Sequence, residues 1–219
     1  MSSSKGLVIW GASGHALVVA DIIRLRGEYE IVGFIDSSDP ARRGSTFCGA
    51  PVLGGEEQLG DLARLGVEHL IFGFGDCAAR LRLGELVRAR GFRIATAIHP
   101  RAVIAADASV GEGTVVAAGA VVNPGARIGE DVIINTAASI DHECVVEDGA
   151  HVSPGVRLAG RVSVGRGAWI GIGAVIIGGV RIGAGALIGA GAVVLEDVPD
   201  GVLAYGVPAR VRRKLAEDD

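Results

Sequence analysis

The sequence predicts two parts, a small parallel α/β sheet followed by a solenoid of short parallel β-strands. Between residues 98 and 194 every sixth residue is aliphatic, and no insertion breaks the count. Before that, up to about Arg93, short apolar runs alternate with stretches of helical spacing. Because an α-helix repeats every 3.6 residues, a strict period of six excludes a helical repeat.

The repeat has two positions that we expect to point inward. The aliphatic position is almost always Ile or Val, which are stiff at χ1 and suit a pleated wall. The position four residues later is mostly small, which leaves room where the chain turns a corner. Its small members are Ala108, Thr114, Ala120, Ala126, Ala138, Cys144, Ala150, Ala168, Ala174, Ala186 and Ala192. The result is a flat-sided prism with an aliphatic core, in agreement with 49% hydrophobic but only 4% aromatic residues.

The first part of the chain alternates strand and helix, which is typical of a small Rossmann-like parallel sheet. We predict strands over residues 6–10, 30–36, 51–55 and 69–75, and helices over 16–26, 56–65 and 78–90. The predicted domains are 1–95 for the nucleotide-sugar-binding sheet, 96–198 for the solenoid and 199–219 for a closing segment and tail.

Composition excludes several classes of protein. The net charge is -4 and the sequence contains no basic stripe, which together argue against a nucleic-acid partner. Cys48, Cys77 and Cys144 form no CxxC motif, so a reduced, cytoplasmic location is the simple interpretation. We expect no signal peptide and no membrane insertion, since no apolar run approaches the length of a span.

A candidate ligand site lies where the first two strands end. Gly11, Ser13 and Gly14 follow the first strand, and Asp36 ends the second. Parallel sheets bind ligands beyond the carboxyl ends of their strands, and a helix N-terminus suits phosphate. The spacing Gly-x-x-Gly is not the dinucleotide fingerprint, and the glycines could simply form a tight turn. His15 could contact a ligand or face solvent.

Two segments resemble the PglD/NeuD family of sugar acyltransferases over essentially the whole chain. The first is Trp-Gly-Ala-Ser-Gly-His at 10–15 with Phe-Ile-Asp at 34–36. The second comprises Ile-Asn-Thr at 134–136, Ile-Asp-His-Glu-Cys at 140–144, His-Val-Ser-Pro at 151–154 and Leu-Ala-Gly at 158–160. The repeat itself resembles the hexapeptide-repeat left-handed parallel β-helix, in which three hexapeptides form the three sides of each coil.

The resemblance implies an acetyl-CoA co-substrate, a homotrimer, no metal, and an amino sugar on a nucleotide carrier or a sialic acid hydroxyl as acceptor. It implies a catalytic histidine at His142 with Glu143 beside it. It implies substrate contacts at Ser13, Gly14, His15, Asp36 and Asn135, with Gly11 added by its strand-end position. The expected acetyl-CoA contacts are His151, Gly160, Ile172, Gly173, Gly189 and Ala190. Asp36 is followed by Ser37 where relatives often carry a second acid, so the nucleotide base stays open.

The register of the repeat gives independent support for His142. Because Ile140 points inward, His142 should point outward, as a solvated residue or as a general base. With three hexapeptides per coil, His142 lies in one column with Gly160 and Gly178, so two rungs above it carry no side chain. Glu143 could orient the imidazole or be one of several outward acids. Cys144 is inward and serves packing, whereas an exposed Trp169 suggests an interface or ligand contact.

The sequence therefore predicts N-acetylation of a nucleotide-linked (UDP-, GDP- or dTDP-) 4-amino-4,6-dideoxy sugar by direct transfer, with a trimer interface at Ala137, Ala138, Pro154 and Trp169. One alternative is O-acetylation of a sialic acid. A second is a γ-carbonic-anhydrase-like metal lyase, for which the three histidines of the repeat have unsuitable spacing. A third is a non-catalytic nucleotide-sugar-binding trimer. The basic cluster Arg210, Arg212, Arg213 and Lys214 could contact CoA phosphates or be a solvated tail, which we favour slightly.

Overall fold

The structure is a computed structural model that describes residues 5–215. Its first part is a six-stranded sheet in the order β3-β4-β2-β1-β5-β6, parallel except for the pair β3–β4. The strands are β1 Lys5–Trp10, β2 Tyr29–Ile35, β3 Thr46–Phe47, β4 Ala50–Gly54, β5 His69–Phe72 and β6 Arg93–Ile94. The α-helices are α1 Gly14–Arg26, α2 Leu59–Arg64 and α3 Cys77–Ala89.

The predicted strands and helices are present, most of them with bounds within two residues of the prediction, whereas β3 and β6 were not predicted. Two elements differ further at their ends. The helix predicted over 56–65 is a short 3₁₀ turn, Glu56–Gln58, followed by α2. The strand predicted over 69–75 ends at Phe72. Its continuation runs directly over α1, because a Cβ on Gly73 would lie 2.8 Å from the Cβ of Ala16.

From Ala97 onward the chain winds into a three-sided prism of two-residue strands. Strands one coil apart pair in parallel, as Ile133 with His151, so each coil takes three hexapeptides. Face 1 contains β7 Ala97–Ile98, β10 Val115–Val116, β13 Ile133–Ile134, β16 His151–Val152, β19 Trp169–Ile170 and β22 Leu187–Ile188. Face 2 contains β8 Val103–Ile104, β11 Val121–Val122, β14 Ser139–Ile140, β17 Arg157–Leu158, β20 Val175–Ile176 and β23 Val193–Val194. Face 3 contains β9 Ser109–Val110, β12 Arg127–Ile128, β15 Val145–Val146, β18 Ser163–Val164 and β21 Arg181–Ile182.

Both predicted inward positions form one continuous core inside the prism. The first coil is the exception, where Ile98, Ile104 and Val110 are only partly buried. Ala138, which we had also placed at an outward interface, is fully buried, so that assignment is wrong. It occupies the small inward position, where the register leaves no outward side chain.

Most turns between faces contain a glycine with positive φ, as the sharp corner requires. Four turns instead hold another residue in this conformation, which costs about 1–2 kcal/mol each. They are Asp131, Ala137, Glu143 and Arg161.

The N-terminal sheet packs on face 1 of the prism. Its core residues Leu7 and Ile9 share one hydrophobic cluster with Ala97, Val115 and Ile133 of the prism. Ile133 points outward by register and is nevertheless only 1% exposed. The sheet and the first coils are therefore packed together, while the domain boundaries at 95/96 and 198/199 stay predictions.

Two further strands close the prism. β24 Val202–Gly206 extends face 1, and β25 Ala209–Lys214 pairs with it as an antiparallel hairpin. Arg210 contacts Glu196 at 2.8 Å, and the guanidinium of Arg212 lies 4.8 Å from the ring centroid of Tyr205. The basic residues Arg210, Arg212, Arg213 and Lys214 are exposed, as expected for a solvated segment, although their backbone belongs to β25. Residues 216–219 lie outside the described chain. Within residues 5–215, no helix combines the length and apolarity needed to span a bilayer.

Candidate active site

The carboxyl ends of β1, β2 and β5 enclose a pocket of about 190 Å³. It is lined by Trp10, Gly11, Ala12, Ser13, Asp36, Ser37, Ser38 and Phe74. Gly11 has φ +115°, and a Cβ there would lie 3.0 Å from the carbonyl oxygen of Gly73, so the turn requires glycine. Three of the predicted substrate residues, Gly11, Ser13 and Asp36, are thus brought together, while Gly14 starts α1 outside the lining.

Asp36 is held rigidly in this pocket. Its Oδ1 accepts hydrogen bonds from the N–H (3.0 Å) and hydroxyl (2.5 Å) of Ser38, and its Oδ2 accepts one from Arg42 at 3.0 Å. Arg42 also donates to the carbonyl of Ala12 and lies 5.3 Å from the ring centroid of Phe47. Neither partner was predicted from the sequence. The spacing Asp-x-Ser, typical of an Asx turn, would have indicated Ser38, but nothing local indicates Arg42.

His15 lies in the first turn of α1 and faces the β-helix. Its ring centroid is 6.4 Å from that of His151, and its Nε2 is buried with no hydrogen-bond partner among the described residues. Burial and the nearby Arg80 charge lower the pKa of His15 to about 4. Of the two possibilities left open by the sequence, His15 therefore does not simply face bulk solvent.

His151 is the centre of a second group of predicted residues. Its ring is 6% exposed and stacks on Trp169, with centroids 5.1 Å apart. Its Nδ1 lies 3.3 Å from the carbonyl oxygen of Gly75, and its Nε2 lies 3.3 Å from Nδ2 of Asn135. Burial, with smaller contributions from the charges of Arg80 and His15, lowers the pKa of His151 to about 3.

These residues open onto a largely apolar pocket of about 410 Å³. Its lining comprises Asn135, His151, Ser153, Pro154, Trp169, Gly171, Ile172, Leu187, Ile188, Gly189 and Ala190. It unites the predicted coenzyme residues His151, Ile172, Gly189 and Ala190 with Asn135, which we had assigned to the sugar substrate. Gly173 lies in the same turn as Ile172 but outside the lining. Trp169, 40% exposed as expected, donates through Nε1 to Ser153 Oγ at 2.9 Å.

His142 lies at a different corner of the prism and is exposed, as its register predicts. Its Nδ1 is 3.1 Å from Oε2 of Glu143, and its backbone N–H donates to Oδ1 of Asp141 at 2.7 Å. Asn123, one coil below, donates to the same Asp141 oxygen at 3.1 Å. Asp141 thus holds the turn that carries His142 through two hydrogen bonds. Neither Asn123 nor the role of Asp141 was predicted from the sequence.

The column above His142 was predicted to be free of side chains at Gly160 and Gly178, but the imidazole of His142 itself occupies the space at Gly160. A Cβ on Gly160 would lie 2.4 Å from Nε2 of His142, so the ring leans directly against the backbone of Gly160. A Cβ on Gly178, one rung further, would meet only the Gly160 carbonyl and Ala159. Glycine at 160 is therefore required by the ring, and the open part of the groove begins at Gly178.

One chain does not bring all predicted residues together. The turn with Asn135 joins β13 to β14, and the turn with His142 joins β14 to β15, so the two lie at opposite edges of face 2. His142, Glu143 and Gly160 form one cluster, and the pocket around His151 forms another. Residues 5–215 contain no group of three His, Cys, Asp or Glu side chains placed to hold a metal ion.

Comparisons with known proteins agree with this architecture. The sequence matches the PglD N-terminal domain family over residues 6–87 and the bacterial transferase hexapeptide family (six repeats) over residues 161–196. No curated protein sequence gives a significant match.

The chain is also similar to solved structures. PerB from Caulobacter crescentus, in complex with CoA and GDP-perosamine, shares 43% identity over 95% of this chain and 97% of that chain, with a TM-score of 0.90. The acetyltransferase domain of PglB from Neisseria gonorrhoeae FA1090, in complex with acetyl coenzyme A, shares 34% identity over 96% of this chain and 100% of that chain, with a TM-score of 0.88. WeeI from Acinetobacter baumannii AYE shares 26% identity over 95% of this chain and 100% of that chain, with a TM-score of 0.78.

These likenesses confirm both parts of the predicted fold, an α/β domain followed by a left-handed parallel β-helix. The chain belongs to the PglD/NeuD-type family of sugar acetyltransferases.

Proposed function

We propose that this enzyme uses acetyl-CoA to N-acetylate the amino group of a nucleotide-linked 4-amino-4,6-dideoxy sugar. The observation that carries the proposal is the exposed His142, whose Nδ1 is 3.1 Å from Glu143 and whose ring rests against a side-chain-free rung. PerB, 43% identical, was solved with CoA and GDP-perosamine, which supports a nucleotide-linked amino sugar as substrate.

In the proposed reaction the sugar nitrogen attacks the thioester carbonyl of acetyl-CoA directly. His142 Nε2 takes a proton from the amine as the C–N bond forms, and the C–S bond breaks to release CoA, which receives the proton. Glu143 holds the proton of Nδ1 so that Nε2 keeps its lone pair. General base catalysis of this kind contributes about 10²–10⁴-fold, and positioning supplies much of the remaining rate.

The backbone N–H of Gly160 is the proposed donor to the oxyanion. Within residues 5–215 it donates no hydrogen bond, and it lies beside the imidazole. A free donor fixed next to the base is what a tetrahedral intermediate requires. No covalent acetyl-enzyme is proposed, since Cys144 is buried inside the prism.

We infer a homotrimer, and the separation of the two clusters supports it. Because His142 and the pocket around His151 lie at opposite edges of face 2, a complete site requires His142 of one copy against the pocket of the next. Face 2 and its edges expose a set of apolar side chains suited to such contact, namely Val103, Val175, Ile177 and Leu195. A head-to-tail contact forms a ring when its rotation closes, and we propose that it closes here with three copies.

We assign the nucleotide to the pocket at Gly11, Ser13 and Asp36, with Gly14 and His15 at the adjoining helix start. Acetyl-CoA is assigned to the pocket at His151, Ile172, Gly189 and Ala190, with Gly173 in its rim and Asn135 close to the transferred group. In this proposal the predicted domain 1–95 binds the sugar nucleotide and the predicted domain 96–198 binds the coenzyme, while the predicted segment 199–219 closes the β-helix through its described strands β24 and β25. The cytoplasmic location stays a prediction.

The decisive experiment measures thiol release from acetyl-CoA across UDP-, GDP- and dTDP-linked 4-amino sugars, with free sialic acid as a hydroxyl acceptor. We expect turnover with at least one nucleotide amino sugar and none with sialic acid. Turnover with sialic acid alone would replace the proposal by O-acetylation. Acetyl-CoA binding without turnover on any acceptor would support a non-catalytic binding protein, and sedimentation as a monomer would contradict the shared site.

A further inference from the structure

Arg80, on α3, is buried between the two parts of the molecule with 2% exposure. Its guanidinium donates to backbone carbonyls from both sides: to Gly75 at 2.6 Å, to Asp131 at 3.1 Å and to Gly149 at 2.7 Å. Longer contacts reach Phe74, Ala150 and the sulfur of Cys77. No carboxylate of the described residues lies within ion-pair distance of Arg80. A buried cation without a paired carboxylate is costly, and an apolar side chain would pack at lower cost.

The carbonyl of Gly75 connects Arg80 to the proposed coenzyme pocket. It accepts from Arg80 at 2.6 Å and is also 3.3 Å from Nδ1 of His151. Because a carbonyl can only accept, Nδ1 of His151 must carry the ring proton. Nε2 then holds the lone pair, directed at Nδ2 of Asn135 at 3.3 Å. The network therefore selects one tautomer and fixes the ring plane.

The same segment touches both proposed substrate pockets. Phe74 lines the pocket at the strand ends, and Gly75 holds the histidine that lines the pocket on the β-helix. There is little free space here, since a Cβ on Gly75 would lie 3.2 Å from Cε1 of His151. A rigid residue 75 thus sets the position of His151 relative to the N-terminal domain.

The charged and titratable groups around His151 all lower the pKa of its imidazole. Arg80 approaches from α3 and His15 from α1, while Trp169 and Asn135 on the β-helix are uncharged. The groups that act on Arg80 itself are Cys77, Asp131 and Asp76. Burial first, and then the Arg80 charge, lower the pKa of His151 to about 3, so this imidazole stays neutral at any working pH.

We propose that Arg80 is a positioning residue for the coenzyme pocket: through the Gly75 carbonyl it holds His151 in the Nδ1–H tautomer, with the acceptor Nε2 facing Asn135 and the pocket. This inference rests on the proposed function, because it assigns acetyl-CoA to that pocket. The proposed role also explains why an arginine is buried at this position, since neither a lysine nor an apolar side chain would donate to three carbonyls at once.

The test compares Arg80→Met with Arg88→Met in the full-length protein. Arg88 is a matched control because it lies on the same helix and also contacts the β-helix, through Asp131 at 2.8 Å, but does not touch Gly75 or His151. The first readout is the ¹⁵N NMR tautomer and pH titration of His151. The second is the KM for acetyl-CoA and the pH profile of kcat/KM.

In Arg80→Met we expect His151 to lose its single tautomer and to titrate at higher pH, and the KM for acetyl-CoA to rise about tenfold, equivalent to one hydrogen bond. Arg88→Met should lower stability and leave the His151 signals unchanged. If Arg80→Met only lowers stability, and the tautomer, titration and KM all match Arg88→Met, the proposal is wrong.

Arg80→Lys covers the case in which Arg80→Met does not fold. It retains the charge and loses the planar fork, so we expect a mixed tautomer with a smaller rise in the His151 pKa. An unchanged tautomer in Arg80→Lys, alongside a well-folded protein, would also overturn the proposal. The NMR readout requires no turnover, so failure of wild-type protein to bind acetyl-CoA would reject the proposed function without deciding the role of Arg80.

Discussion

His142 and His151 both point outward from the same β-helix, half a coil apart, yet their surroundings are opposite. The side chain of His142 is 48% exposed at a free corner, whereas His151 is 6% exposed beneath the N-terminal domain. His142 is paired with a carboxylate, and His151 lies near an arginine. The difference teaches that the solenoid sets only the direction of a side chain, and the element that covers the face determines its chemistry.

This contrast assigns the two imidazoles to different tasks. A general base must be able to reach the substrate, and an acidic partner can orient it. His142 is exposed, and its Nδ1 lies 3.1 Å from Oε2 of Glu143. A neutral imidazole with a fixed tautomer can only accept or donate a hydrogen bond, which suits His151 to placing a ligand.

The largest expected effect is that of His142→Ala. Loss of the base should lower kcat about 10²–10⁴-fold, while the Kd for acetyl-CoA stays within about twofold because the pocket around His151 is untouched. Steady-state kinetics and a calorimetric titration give the two values.

His99→Ala is the matched control for that variant. His99 belongs to the same β-helix and accepts a hydrogen bond from the N–H of Arg101, outside both clusters. It should retain kcat within about twofold. Near-normal turnover in His142→Ala would remove the distinction between the two histidines.

The second effect concerns stability in acid. The pKa values of His15 (about 4) and His151 (about 3) are depressed in the folded protein, so the unfolded chain binds protons first as the pH falls below about 6.5. The free energy of unfolding should fall by about 1.4 kcal/mol per pH unit for each histidine between pH 6.5 and 4.5. Urea denaturation at several pH values measures the slope.

Because burial also lowers the pKa of His69, His151→Leu should remove its own share of this slope and leave those of His15 and His69. A wild-type stability that is flat from pH 6.5 to 4.5 would show that neither imidazole is kept neutral by the fold.

A smaller effect is expected from Gly160→Ala. The added Cβ would lie 2.4 Å from Nε2 of His142, so the ring must rotate away from the proposed acceptor site. We expect kcat to fall about 10–100-fold, the loss for a displaced catalytic group. Gly60→Ala is the control, since a Cβ there meets nothing within 4 Å. Equal activity of the two variants would contradict the position of the ring.

The smallest effect is that of Glu143→Gln, for which we expect kcat to fall about tenfold as the carboxylate partner of Nδ1 is lost. Glu143→Gly should be equally slow but more stable by about 0.5–1 kcal/mol, because Glu143 has φ +57° in a turn where glycine is unstrained. Kinetics together with thermal unfolding separate the two outcomes. If Glu143→Gly is active at the wild-type rate, the carboxylate has no role at His142.

The sequence predicted the prism and the direction of nearly every side chain in it, because a strict period of six leaves one register for the core. It also predicted the strand-end pocket, since Gly11 and Asp36 directly follow buried strands. It did not predict that His151 and Ile133 are buried, because that depends on which face the N-terminal domain covers. Arg80 was missed for the same reason, because its acceptors on the β-helix, Asp131 and Gly149, are backbone carbonyls distant in sequence. Arg42 was missed because its contacts with Asp36 and the Ala12 carbonyl depend on how the loop after β2 folds.

The coil of three hexapeptides makes the length of this enzyme adjustable in fixed steps. One whole coil inserted after Gly173 would keep every side chain in its column and move the C-terminal hairpin by one strand spacing, about 4.8 Å. The half of the molecule under the N-terminal sheet would not change. An insertion of one or two hexapeptides would instead rotate the hairpin to another side. The affinity for acetyl-CoA across such a series would show how much of the coenzyme contacts the final coils.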